Sequence, residues 1–238
     1  KKHLQKLGAR GAKLYYKTMR KQNLNLGEYY HIYNRGVDKR DIFLGDYDFD
    51  RFIQCMTEFN TTDPIGSLYE LSIERASRNK LGARGAKKSE PLVDIVAYCL
   101  NTNHFHFILR QKQKDGISNF MMKVGGGYGW YFNNKYERTG TLFQGRFKAV
   151  HIDSNEYLLH VSAYINLNNQ VHRVSNKNGY QSSWGVYIGN KKEGSLKTKI
   201  ILNQFPNSAA YKTFSEKSLQ TILENKEKLK ELESSVVE

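Results

Sequence analysis

With 238 residues, 39% of them hydrophobic and 13% aromatic, the chain has apolar material for one sizeable core. Lys+Arg number 37 against 23 Asp+Glu, and the net charge of +14 is spread along the chain, which points to a polyanionic partner, most commonly nucleic acid. The two cysteines, Cys55 and Cys99, exclude a disulfide framework or a CxxC metal site; with no apolar run of about 18 residues and no apolar stretch in residues 1–13, a cytoplasmic protein with reduced thiols is expected.

In chain order, a basic extension over 1–26 precedes GEYYHIYN at 27–34, whose β-formers and closing Arg35-Gly36 predict a strand and turn. An amphipathic helix follows over 46–60, with Phe49, Phe52, Ile53 and Met56 at helical spacing. The stretch 61–91 is aperiodic and reads as a loop insertion. It contains KLGARGAK at 80–87, identical to 6–13; two copies in different surroundings are not a solenoid and read as a solvated, duplicated surface peptide, with an extra basic contact to phosphates as the alternative. LVDIVAYCL at 92–100 and HFHFILR at 104–110, separated by Asn101-Thr102-Asn103, predict an antiparallel hairpin.

Residues 117–135 show helical spacing interrupted by Gly125, Gly126, Gly127 and Gly129, which predicts a bent helix or one that is partly loop. The glycines lack the ending of a phosphate loop. A fourth strand is expected over 142–152, then a helix from a cap at Asp153-Ser154 to about Asn168. This order predicts a ferredoxin-like α+β domain over 27–172, an antiparallel sheet with helices on one face. A C-terminal extension over 173–238 ends in a helix with Leu219, Ile222, Leu223, Leu229 and Leu232, a docking or dimer-packing element.

The chemistry centres on His104-Phe105-His106. On a strand both imidazoles share one face while Phe105 takes the other, so the pair either binds a divalent metal ion or is a hydrogen-bonded core feature. Tyr164 and Asn168 are four residues apart on the last helix of the domain and share a face, which brings a phenol and an amide oxygen toward the histidines. Two imidazoles and one oxygen would leave open positions on an ion that polarises a phosphate while Tyr164 attacks it; with 16 tyrosines in the chain, spacing alone equally allows Tyr164 to be a core aromatic.

HFH after AYCLNTN, with YYHIYNRGVDKRDIF at 29–43, YFNNKYERTGTLFQGRFKAVHID at 131–153, EYLLHVSAYINLNNQVH at 156–172 and SSWGVYIG at 182–189, resembles the REP-associated tyrosine transposases. These are relatives of the single-tyrosine insertion-sequence transposases in the HUH endonuclease superfamily. The resemblance implies cleavage and rejoining of single-stranded DNA at hairpin-forming repeats through a 5'-phosphotyrosine intermediate. It matches Tyr164 to the nucleophile and His104, His106 and Asn168 to the metal ligands; Asn169 stands where many members have proline, and Asn101-Thr102-Asn103 where Met-Pro-Asn is common. It further implies single-stranded or hairpin DNA as partner and a homodimer. With no thiolate in the set, Mg or Mn is the expected metal. Arg35, Lys123, Arg138, Arg146 and Lys148 are candidate phosphate contacts, Tyr128, Tyr131 and Phe147 candidate base-stacking rings, and His151 a candidate polar neighbour of the site. The rivals are a non-cleaving nucleic-acid-binding module, against which the presence of both histidines and Tyr164 argues, and a rolling-circle initiator, whose motif neighbourhood differs.

Overall fold

The structure, a computed structural model, describes residues 23–73, 90–172 and 179–235, with side chains as far as residue 225; both KLGARGAK copies lie outside the described residues. Its elements are β1 (Tyr29–Arg35), α1 (Asp46–Glu58), β2 (Val93–Asn101), β3 (His104–Gln111), α2 (Gly116–Lys135), β4 (Lys148–Ile152), α3 (Asn155–Asn166), α4 (Asn168–Val171), β5 (Tyr180–Ser182), α5 (Trp184–Tyr187), α6 (Lys199–Leu202) and α7 (Ser208–Ser235). The sheet order is β4-β1-β3-β2-β5, and every neighbouring pair of strands is antiparallel. The first four strands with α1 and α2 thus form the split βαβ arrangement expected of the α+β class.

Strand alternation divides the core into two layers. Tyr30, Ile32, Phe105, Phe107 and Leu109 pack with α1 and α2 on one face. Ala97, Cys99, Ile108 and Ile152 pack on the other with Leu158, Val161 and Ile165 of α3. The two helices of the ferredoxin-like unit share one face, as expected, while α3 and the elements after it cover the second. β5, from beyond residue 172, joins the same sheet beside β2. The terminal helix docks within its own chain, Leu219 with Ile222 and Leu223 packing on Leu167 and Val171; the side chains of Leu229 and Leu232 are outside the described residues.

The glycine-rich helix is not broken. α2 runs without interruption for 20 residues, because at Gly127 the missing side chain is what admits α1: an added Cβ would stand 2.3 Å from Cε2 of Phe59. At Gly126, the preceding residue, such a Cβ would have nothing within 4 Å. Gly127→Ala is therefore expected to destabilise the fold by about 1–3 kcal/mol through overpacking, while Gly126→Ala should be stabilising by up to about 1 kcal/mol. Thermal melts of the two variants, one methyl apart in the same helix, separate close packing from helix propensity.

At the other end of the same helix pair, fully buried Asp48 accepts from Leu44 N (2.8 Å), Lys135 Nζ (2.7 Å), Tyr136 Oη (2.8 Å) and Tyr131 Oη (3.0 Å). Burial pushes the pKa of this carboxyl up, yet the hydrogen bonds from Lys135, Leu44, Tyr136 and Tyr131 outweigh it and hold Asp48 below the usual carboxylate range. A depressed folded-state pKa contributes stability that is complete above the unfolded value near about 4 and is lost as pH falls through the folded one. Asp48→Ala should cost about 3 kcal/mol at pH 7, and the gap from the unsubstituted protein should shrink in denaturant titrations near pH 3.

The fourth strand is shorter than expected. Residues 142–147 are irregular because their backbone is used elsewhere, Leu142 O accepting from Val37 N (3.0 Å) and Gln144 N donating to Arg35 O (2.8 Å). The last helix also ends early: α3 stops at Asn166, and Leu167 (φ −110°, ψ 18°) separates it from α4. Its N-cap is Ser154, whose Oγ accepts from Tyr157 N at 3.2 Å. No helix among the described residues is long and apolar enough to cross a membrane.

Candidate metal and nucleophile site

Sheet register assembles the site before any helix is added. Across the five strands one row reads Lys148, Tyr33, His106, Cys99, Ser182, and the next reads Arg35, His104, Asn101, Tyr180. His31 precedes Tyr33 on the same face, two residues along β1. These side chains face α3, whose Tyr164 ring lies 5.6 Å from that of His106 and 6.0 Å from that of His31, edge-on to both.

Both histidines of the HFH run are held by Nδ1. His104 Nδ1 is 2.6 Å from Asn103 Oδ1, which can only accept, so the proton sits on Nδ1 and Nε2 carries a lone pair. Asn103 is itself fixed, its O accepting from Gly36 N (2.9 Å) and its Nδ2 donating to Lys39 O (3.1 Å), so the segment after β1 locks the hairpin turn. His106 Nδ1 meets Nε2 of His31 at 2.8 Å. Imidazoles oriented through one nitrogen in this way present the other to an ion.

The amide of Asn168 reaches the same point. Its Oδ1 lies 3.2 Å from His104 Nε2, close to the separation of about 3 Å between adjacent ligands that are each about 2.1 Å from one ion. Asn101 Nδ2 donates to both of these atoms, at 2.9 Å to Nε2 and 2.8 Å to Oδ1. An ion that takes both lone pairs would replace this donor. Asn168 is wholly buried and its own Nδ2 lacks a hydrogen-bond partner, so the side chain is oriented by its oxygen alone.

A third imidazole completes the cluster: one nitrogen from each of His104, His106 and His172 lies within 4.8 Å of the others, and these residues could hold a metal ion. Burial lowers the pKa of all three inner imidazoles. That of His31 falls to about 4, that of His106 falls well below the usual range with further repulsion from His31, His104 and His172, and that of His104 falls although the Asn168 contact opposes the shift. All three are neutral near pH 7, the form that binds metal.

The sequence-nominated residues therefore separate into groups. His104, His106, Tyr164 and Asn168 converge. Arg35 and Lys148 border them, Arg35 paired through Nε with Gln144 Oε1 and Lys148 with its ammonium 5.9 Å from the Tyr33 ring centroid. Arg146 is exposed just before β4. Arg138 lies in a cleft with Arg40 and Tyr136, its guanidinium 5.7 Å from the Phe132 ring centroid. Lys123 is on α2, behind the sheet, and its ammonium donates to Thr61 O (2.7 Å) and Asp63 O (2.8 Å).

Two of the three stacking candidates are occupied as well. Tyr128 is fully buried with its hydroxyl on Ile42 O, and Tyr131 donates to Asp48; Phe147 packs against the α1–α2 core. His151 sits on the far face beside Tyr30 and bonds Glu28 Oε2 at 2.9 Å. His31, Asn101 and His172 were missed. His31 carried a weak signal, its place in an alternating run with Tyr33, and His172 another, its spacing of four residues beyond Asn168; nothing local marks Asn101.

Residues 83–168 match the family described as Transposase IS200 like. This segment contains His104, His106, Tyr164 and Asn168. A search of the curated proteins gives no match. Among solved structures, the chain is similar to a REP-associated tyrosine transposase bound to a REP hairpin, with 11% identity, a TM-score of 0.48, and coverage of 76% of this chain and 97% of that one.

Proposed function

We propose that this protein, whose residues 83–168 match the family described as Transposase IS200 like, cleaves and rejoins single-stranded DNA, at hairpin-forming repeats, with Tyr164 as nucleophile. The observation that carries the reading is the convergence of His104, His106, Asn168 and Tyr164 from a hairpin and a helix more than 50 residues apart in sequence, with His104 Nε2 at 3.2 Å from Asn168 Oδ1. A divalent ion held by His104, His106 and Asn168 would supply Lewis-acid polarisation of the scissile phosphate.

The chain's own groups supply the rest. The phenolic oxygen of Tyr164 forms a bond to phosphorus as the P–O3' bond breaks; the phenol loses its proton and the departing 3'-oxygen gains one. The product is a 5'-phosphotyrosine and a free 3'-hydroxyl. Because the phosphodiester energy is conserved, a 3'-hydroxyl can reverse the step and join strands. Arg35 and Lys148, which border the site, with Arg146 and Arg138, are proposed to hold the backbone of such a strand. Buried free thiols at Cys55 and Cys99 fit a cytoplasmic setting. The resemblance also implies a homodimer; Leu219, Ile222 and Leu223 of α7 pack within the chain.

The test is incubation of the protein with end-labelled single-stranded hairpin DNA, in Mn or Mg and with chelator, read on a denaturing gel. Metal-dependent cleavage with a protein-linked strand supports the reading; tight binding without cleavage of any hairpin would leave a non-cleaving DNA-binding module. A smaller effect is expected of His31, which positions His106 and is proposed to touch neither ion nor DNA. His31→Ala should weaken divalent-ion affinity by about 10–100-fold, measured by isothermal titration, with His31→Gln recovering part of it.

A further inference from the structure

His172 was reached by no sequence argument, yet contacts from a distant helix fix the turn that carries it. The turn that carries it is anchored from behind: Leu167 and Val171 are buried against Leu219 of α7, and His172 N donates to Asn168 O at 3.1 Å. One more helical turn therefore follows Asn168, and residue 172 succeeds residues 164 and 168 at the spacing that keeps all three on one side. The His172 and His104 rings are 4.8 Å apart between centroids at 72°, and those of His104 and His106 are 5.2 Å apart at 90°. Three rings set nearly edge-to-face point their nitrogens at a shared space and do not stack on one another.

We propose that His172 is a third imidazole ligand beside His104 and His106, and that the site consequently takes manganese or a later first-row ion ahead of magnesium. The inference rests on the reading of His104 and His106 as metal ligands and adds to it the number of nitrogens and the class of ion. Ligands about 2.1 Å from one ion are about 3–4.2 Å apart, so the ring nitrogens, all within 4.8 Å of each other, close onto an ion by small side-chain rotations. Magnesium demands oxygen donors and keeps its water, whereas imidazole suits manganese less than cobalt or zinc but better than it suits magnesium. Three neutral nitrogens and a single amide oxygen form a set that magnesium meets poorly. One or two positions remain for phosphate oxygens.

The experiment is titration of the full chain with Co2+, followed by the visible d–d absorption of the bound ion, with competition by Mg2+, for the unsubstituted protein, His172→Ala and His172→Gln. The proposal expects tight Co2+ binding that a 100-fold excess of Mg2+ does not reverse. It expects His172→Ala to weaken Co2+ by about 10-fold or more and to change the band shape, because a ligand nitrogen is lost. His172 is exposed, so the variants should fold; matching thermal melts without metal verify it. Equal Co2+ affinity and spectrum in His172→Ala would overturn the third ligand while leaving the His104–His106 site standing. Mg2+ displacing Co2+ at comparable concentration overturns the selectivity. Absence of any Co2+ binding by the unsubstituted protein overturns both this inference and the metal reading beneath it.

Discussion

Tyr164→Phe protein is expected to bind hairpin DNA with unchanged affinity and to cleave it at least about 10⁴-fold more slowly, with no covalent product. The asymmetry follows from what the substitution removes. The ring contacts of Tyr164 with His106 and His31, at 5.6 Å and 6.0 Å between centroids, do not require the hydroxyl. Phenylalanine keeps them, so the sheet–α3 packing and the basic border persist. What disappears is the one oxygen proposed to bond to phosphorus, and a phosphotyrosine has no substitute for it. Steady-state fluorescence anisotropy with labelled hairpin, beside single-turnover cleavage, reads the two quantities independently. A large loss of binding would instead mean that Tyr164 contacts DNA without reacting.

The second large effect is expected at His106. This imidazole is 7% exposed, hydrogen-bonded to His31 and packed between Tyr33 and Tyr164. His106→Ala removes a proposed ion ligand and the hydrogen bond to His31, so divalent-ion affinity should fall by more than about 100-fold, beyond the effect of an orienting residue such as His31. Cleavage should fall with it at any practical ion concentration. His151→Ala is the matched control: it lies on the opposite face, bound to Glu28, and should leave ion affinity and cleavage unaltered. Equal losses in the two variants would indicate a general effect on the sheet.

Those residues that a strand or helix period places were legible in the sequence. HFH on a strand puts two imidazoles on one face regardless of what surrounds them, and Tyr164 with Asn168 follows the helical repeat closely enough that the break at Leu167 does not separate them from the histidines. Residues whose position depends on long-range pairing were not. Nothing near His31 announces that β1 will lie against β3 with Tyr33 opposite His106. His172 depends on a turn pinned by α7, almost 50 residues later in the chain.

The same cause explains the misjudged groups. Lys123 and Tyr128 looked available for DNA because their segment is family-like, but α2 lies behind the sheet and turns both toward protein. The glycines of α2 looked like helix breakers until the Phe59 ring took the space at Gly127. Propensity describes a segment alone, and packing against a distant segment overrides it.

The central claim is that the oxygen of Tyr164 becomes bonded to DNA, and the most direct measurement is mass spectrometry of the trapped adduct. The protein is incubated with Mn2+ and a single-stranded hairpin, the covalent product isolated under denaturing conditions, and protease and nuclease digestion followed by fragmentation of the nucleotide-bearing peptide. The nucleotide is expected on Tyr164, joined through its 5'-phosphate. A nucleotide on any other residue, or cleavage that leaves no nucleotide on the protein, would contradict the account.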